Sequence, residues 1–118
     1  MGTILHICER INWENALKTG SYQPVSLQSE GFIHCSTPSQ VLQVANSFYA
    51  DRQDLLLLWI QLDDVQAEVR WEKPVSPASQ GCIDMLESFP HIYGPLNLDA
   101  VFDVVKFFPD NDGVFKLP

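Results

Sequence analysis

Apolar and polar residues follow one another in blocks short enough to mark most elements of this chain. Ile4 to Cys8 is an apolar run with His6 set inside it, which predicts a strand. Side chains alternate along a strand, so Ile4, His6 and Cys8 share one face and Leu5 and Ile7 the other. Asn12 is a good helix cap, and Trp13, Ala16 and Leu17 recur at i, i+3 and i+4. They predict a short helix over Trp13 to Thr19, with Gly20 as its left-handed terminator. Ser21 to Ser29 shows no clean period and is expected to be loop or extended chain. Gly31 ends it, and Phe32 to Cys35 predicts a buried strand. In Thr37-Pro38-Ser39-Gln40, Thr37 can cap a helix, Pro38 suits its first position and Gln40 completes a capping box. Val41, Leu42, Ala45, Phe48 and Tyr49 then give that helix a core-facing side, and polar residues from Asp51 to Asp54 close it.

Leu55 to Leu62 is apolar except for Gln61, and Asp63-Asp64 stops it. Its length favours a strand buried on both faces, central in a sheet. Glu68 to Glu72 sets Val69 and Trp71 against Glu68, Arg70 and Glu72, the pattern of a half-exposed strand. Lys73 to Gly81 is rich in proline and serine and predicts a loop, while Cys82 to Glu87 has no clear period. Phe89 to Leu96 carries two prolines and a glycine and predicts a rigid, turn-rich segment. After a turn at Asn97 to Asp99, Val101 to Phe108 predicts a strand. Pro109 to Gly113 is a tight turn before a final Val114 to Leu117. Helices early and strands late place the chain in the α+β class, as one domain over residues 1–118.

Composition narrows the function classes. The 118 residues are 46% hydrophobic and 19% charged, an ordinary globular balance. A formal charge of −8 and only seven scattered Lys and Arg argue against nucleic acid and against an anionic membrane surface. The longest apolar run, Leu55 to Ile60, is too short to span a bilayer. The N-terminus lacks a signal-peptide pattern, and Met1-Gly2 is followed at position 6 by His6, not the Ser or Thr of a myristoylation site. Three cysteines without CxxC spacing imply free thiols in a reducing compartment, so a cytoplasmic location is expected.

The chain has three histidines, one in each of Leu5-His6-Ile7-Cys8, Glu30 to Pro38, and Phe89 to Leu96. On a strand, His34 faces away from Cys35, so the adjacent pair forms no nucleophilic dyad, and Cys35 is expected in the core. His34 beside Ser36 and the helix start at Thr37 offers a ring, a hydroxyl and unpaired N–H groups suited to an anion. The plainer reading is that His34 bonds backbone and Ser36-Thr37 only cap the helix. His6 alone fits a satisfied core histidine, and His91 and Tyr93 equally fit a surface turn and an aromatic lid. Glu30 and Glu72 are acid/base candidates or solvated charges. A metal site from His6, Cys8, His34 and His91 has no ligand spacing behind it beyond His6-x-Cys8, so none is expected.

Taken together, His6-Ile7, Trp13, Ala16, Gly20-x-Tyr22, Ser26-Leu27, Glu30-Gly31-Phe32-Ile33-His34-Cys35-Ser36-Thr37, Gln40, Ala45-Asn46-x-Phe48-Tyr49, Trp71-Glu72 and Phe89-Pro90-His91-Ile92-Tyr93-Gly94-Pro95-Leu96 form a pattern. It resembles, over essentially the whole chain, the small bacterial proteins of domain-of-unknown-function family 952. The resemblance implies an ADP-ribosyltransferase-like fold: a bent, split, mainly antiparallel β-core, here with two N-terminal helices and NAD or an ADP-ribose-type nucleotide in the cleft. It matches His6 to a ribose-contacting residue of the first strand, His34 with Ser36 loosely to the second element, and Glu72 to the acid. On that reading His6, Ser36, Thr37 and Tyr93 bind ligand and His34, His91 and Glu72 act in the chemistry, with Glu72 near His6. Because the usual histidine–tyrosine–glutamate set is incomplete, a non-catalytic module binding a small molecule or a protein stands beside the enzyme. RNA 2′-phosphate transfer, the activity of an ADP-ribosyltransferase-like relative, is disfavoured by the acidic charge.

Overall fold

The apolar run in the middle of the chain forms a strand, Leu55–Gln61, flanked on both sides by antiparallel partners, Thr3–Glu9 and Val101–Phe107. A computed structural model describes residues 2–73 and 88–117. Among these, the order is β1 (Thr3–Glu9), α1 (Arg10–Thr19), β2 (Ser21–Tyr22), α2 (Val25–Ser29), β3 (Ile33–His34) and α3 (Val41–Phe48). β4 (Leu55–Gln61), β5 (Glu68–Glu72), β6 (Phe89–Tyr93), β7 (Leu96–Asn97) and β8 (Val101–Phe107) follow. The strands form three antiparallel sheets, β1-β4-β8, β2-β7 and β3-β6-β5, in an α+β domain.

Register explains how the first sheet separates two cores. Ile4, His6 and Cys8 of β1 oppose Ile60, Leu58 and Leu56 of β4. Their apolar side chains join Trp13 and Ala16 of α1, Tyr22, and Ile33, Cys35 and Ile92 of the third sheet. Leu5 packs on the other face with Leu55, Leu57, Val41 and Ala45 of α3, and the C-terminal Phe107 and Phe115. β4 is central and buried on both faces, as its unbroken apolar run predicts. Phe115 lies 4.8 Å from the Phe107 ring, and its main chain is held by Asn46, whose Oδ1 accepts the Phe115 N–H at 2.8 Å. That amide stands in for a strand partner.

Several boundaries differ from the sequence expectation. α1 starts at Arg10 without an Asn12 cap, because the Arg10 N–H donates to the Asp54 carbonyl at 3.0 Å as the chain leaves β1. Gly20 does end it, at φ 88°, but Leu17 is exposed. The expected loop over Ser21 to Ser29 contains β2 and α2, which makes three α-helices among the described residues and not two. Gly31, at φ 89°, closes α2 by donating to Ser26 and Leu27. The Thr37 start is half built: the Thr37 N–H donates to Gln40 Oε1 at 3.0 Å, while the Thr37 hydroxyl lies on Ser39 and regular α3 begins at Val41. Trp71 and Phe48, expected inside, are 48% and 42% exposed. The turn-rich segment at Phe89 to Leu96 is strand β6 followed by β7; at Pro90 the pairing is one-way, its carbonyl accepting the Cys35 N–H at 3.0 Å just past the end of β3, so the N–H that proline lacks is not used. The expected loop at Lys73 to Gly81 beyond Lys73, and Cys82 to Glu87, lie outside the described residues.

Truncating Phe115 removes the largest C-terminal side chain from the second core. Phe115→Ala is expected to lower unfolding stability by about 3–5 kcal/mol, read as a shift in the urea midpoint.

Candidate active site

β1 and β3 belong to different sheets, and just past the end of β3 one backbone exchange bridges them: Leu5 N–H to Ser36 O at 2.7 Å and Ser36 N–H to Leu5 O at 2.8 Å. Beside this bridge lies a cleft of about 490 Å³. All three histidines line it, together with Ser36, Glu30 and, from the C-terminal half of α3, Phe48. Thr37 and the N-terminal turn of α3 are not on its wall, so the helix start expected to hold an anion does not face the cleft.

His6 spans the split. A carbonyl only accepts, so Nδ1–H of His6 donates to the His34 carbonyl at 2.6 Å, and Nε2 accepts the Tyr22 hydroxyl at 2.7 Å. The ring is 8% exposed, and burial lowers its pKa to about 4, so it is neutral at physiological pH. With both nitrogens engaged, His6 is a strut and not the ligand contact expected of it. Tyr22, placed in a loop by the sequence pattern, is its partner; burial holds its phenol protonated. Its signal was the Gly20-x-Tyr22 spacing.

The third sheet builds the opposite wall. Pairing His34↔His91 and Arg70↔His91 places one residue from each strand on a common face. Phe32, His34, Tyr93 and Glu72 share that face by alternation, while Ile33, Cys35 and Ile92 turn into the core. His91 is buried, with Phe32 stacked on it at 4.2 Å between centroids and the His34 ring 5.4 Å away. Its Nδ1–H donates to Glu72 Oε1 at 2.8 Å, and the Tyr93 hydroxyl donates to the same oxygen at 2.6 Å. These two donors, Tyr93 first, hold the Glu72 carboxyl below its usual range, so it is ionised. Burial lowers the His91 pKa from 6.5, only partly offset by Glu72. The product is a neutral imidazole, oriented by a carboxylate, whose Nε2 has no hydrogen-bond partner among the described residues.

Glu72 therefore contacts His91 and Tyr93, not His6, and neither it nor Tyr93 is on the cleft wall. Among the described residues, the carboxylates that line the cleft are Glu30 and Glu9. Glu30 Oε2 accepts His34 Nε2–H at 3.0 Å, and Glu9 pairs with Arg52 at 3.0 Å. His34 is open to solvent, its side chain 46% exposed. Ser36 is buried at the bridge, and Cys35 lies in the core, where burial pushes its thiol well up. Burial likewise lifts the Cys8 thiol to about 11, so neither is a ready nucleophile. Among the described residues no group of three or more His, Cys, Asp or Glu has metal-holding geometry. No described helix is long and apolar enough to cross a membrane. Phe32 and Phe48 were missed as site residues because apolar positions inside predicted elements look like core.

Residues 7–104 match the family model described as "Protein of unknown function (DUF952)", and the chain belongs to that family. It is similar to the crystal structure of CC0527 from Caulobacter crescentus, with 28% identity and TM-score 0.79 over 98% of this chain and 94% of that one. A double mutant of CC0527 gives 27% identity and TM-score 0.80 over the same shares. Its solution NMR structure gives 27% and 0.76, over 97% and 91%. No curated protein matches the chain.

The buried strut has a pH signature. Between pH 6.5 and about 4 the unfolded chain protonates His6 and the folded one does not, so stability present above 6.5 is lost as pH falls through that window. The loss is about 3 kcal/mol. Urea unfolding at both pH values should show His6→Gln with a correspondingly shallower pH dependence than the wild type.

Proposed function

We propose that this DUF952 protein binds an NAD- or ADP-ribose-type nucleotide in the histidine cleft and moves a proton there through His91. The observation that carries the reading is the Tyr93–Glu72–His91 arrangement. An ionised carboxylate fixes Nδ1–H of a buried, neutral imidazole on the cleft wall and leaves Nε2 as the basic atom. A base held this way contributes on the order of 10²–10⁴ in rate. Glu72 and Tyr93 act through His91, and His6 acts by fixing the span between the sheets. His34, with Ser36 near it, contacts the ribose, while Asn12, also on the wall, is a donor within the cleft for phosphate.

The split between β1 and β3, bridged at Leu5 and Ser36, supports an ADP-ribosyltransferase-like reading of the core, since the cleft lies beside the parting. The protonated thiols of Cys8 and Cys35 suit a reducing cytoplasm. A binding module without turnover is the second reading, favoured by the largely apolar walls from Leu5, Ile7, Val44, Phe48 and Leu55.

Ligand-observed NMR with NAD, ADP-ribose and nicotinamide tests the ligand. Binding of at least one nucleotide is expected in the wild type and is lost in a folded His34→Ala protein. Equal binding by both proteins, or by neither, contradicts the assignment.

A further inference from the structure

The cleft holds two histidine–carboxylate pairs, and they are built differently. His91 is buried, held at Nδ1 by Glu72 from β5. His34 is half exposed, held at Nε2 by Glu30 from the end of α2, and the contact becomes an ion pair when the ring carries its second proton. The centroids lie 5.4 Å apart, with Phe32 against both rings at 4.2 and 4.7 Å. Among the described residues, other ionisable or charged groups facing the two rings are few. Arg70 pairs across from His91 and sits over Tyr93, and His6 touches His34 only through its carbonyl.

We infer that the two rings are a base and acid couple, His91 accepting a proton and His34 donating one, and that the substrate is an ADP-ribosyl group linked through oxygen. This rests on the nucleotide reading above. The chemistry of leaving groups selects the linkage. Nicotinamide leaves NAD as a neutral base and needs no proton, so an acid beside it is idle. An alkoxide leaving a ribosyl carbon needs one, and a donor there lowers its barrier. In the step, His91 Nε2 takes a proton from water as the water oxygen bonds to the ribosyl carbon. The carbon–oxygen bond to the leaving group breaks, and His34 gives its proton to that oxygen from the ring nitrogen not held by Glu30. The products are ADP-ribose and a free alcohol; His91 ends protonated, His34 neutral, and exchange with solvent resets both.

The test uses two ADP-ribosyl O-glycosides of the same ribose, one of methanol and one of 4-nitrophenol, with ADP-ribose binding followed in parallel by NMR. Wild type is expected to cleave both. His34→Gln, whose amide keeps a polar contact to the ribose but has no proton to give, should lose about 10²-fold or more in kcat on the methyl conjugate. It should change within a few-fold in kcat on the nitrophenyl one, whose leaving group departs without a proton. His91→Ala should lose both. Equal losses of kcat on the two probes in His34→Gln would overturn the couple, as would failure to cleave either probe while ADP-ribose still binds. Absence of ADP-ribose binding overturns the couple and the nucleotide reading together.

Discussion

The site depends on one hydrogen bond, from His6 Nδ1–H to the His34 carbonyl. β1 and β3 lie in different sheets, and past the Leu5–Ser36 exchange the His6 side chain carries the connection. Without that donor the carbonyl would be left to find another partner, and a buried acceptor without one costs about 1–3 kcal/mol. The bond also fixes the tautomer, and thereby makes Tyr22 the donor to Nε2. One imidazole thus sets the spacing of the two sheets, anchors β2 against β1 and holds the backbone of His34 on the cleft wall.

Burial divides the work among the three histidines. His6 spends both nitrogens inside the protein. His91 spends one on Glu72 and keeps the other, while the stacked Phe32 limits its contact with water. His34 keeps its ring in solvent, beside Glu30. The same residue type is therefore a buried strut, a buried ring held at one nitrogen by a carboxylate, or a solvent-facing ring, according to what surrounds it, and charged wall residues Glu9, Glu30 and Arg52 are already paired with protein groups.

Local pattern made part of this legible. β1 and β4 were readable because seven-residue apolar strands carry their own register signal, and the alternation at His34 correctly sent Cys35 into the core. What failed was non-local. Tyr22 is buried because Leu96 pairs with it, and nothing near Tyr22 announces a partner so far along the chain. α2 is five residues with no buried side chain, too short to show a period. His91 looked like part of a turn because prolines surround it, whereas β3 and β5 make its segment a central strand. Glu72 was matched toward His6, but the β5–β6 register delivers it to His91. The residue types of the site were visible in sequence; which carboxylate serves which histidine was decided by strand pairing.

The most direct test labels the histidine rings with ¹³C and follows them as ADP-ribose is added. The account predicts that the His34 and His91 signals move together along one saturation curve, as neighbours on one wall of the cleft must. If ADP-ribose leaves both rings unmoved, or perturbs only residues away from the cleft, the claim that this cleft is the binding site is wrong.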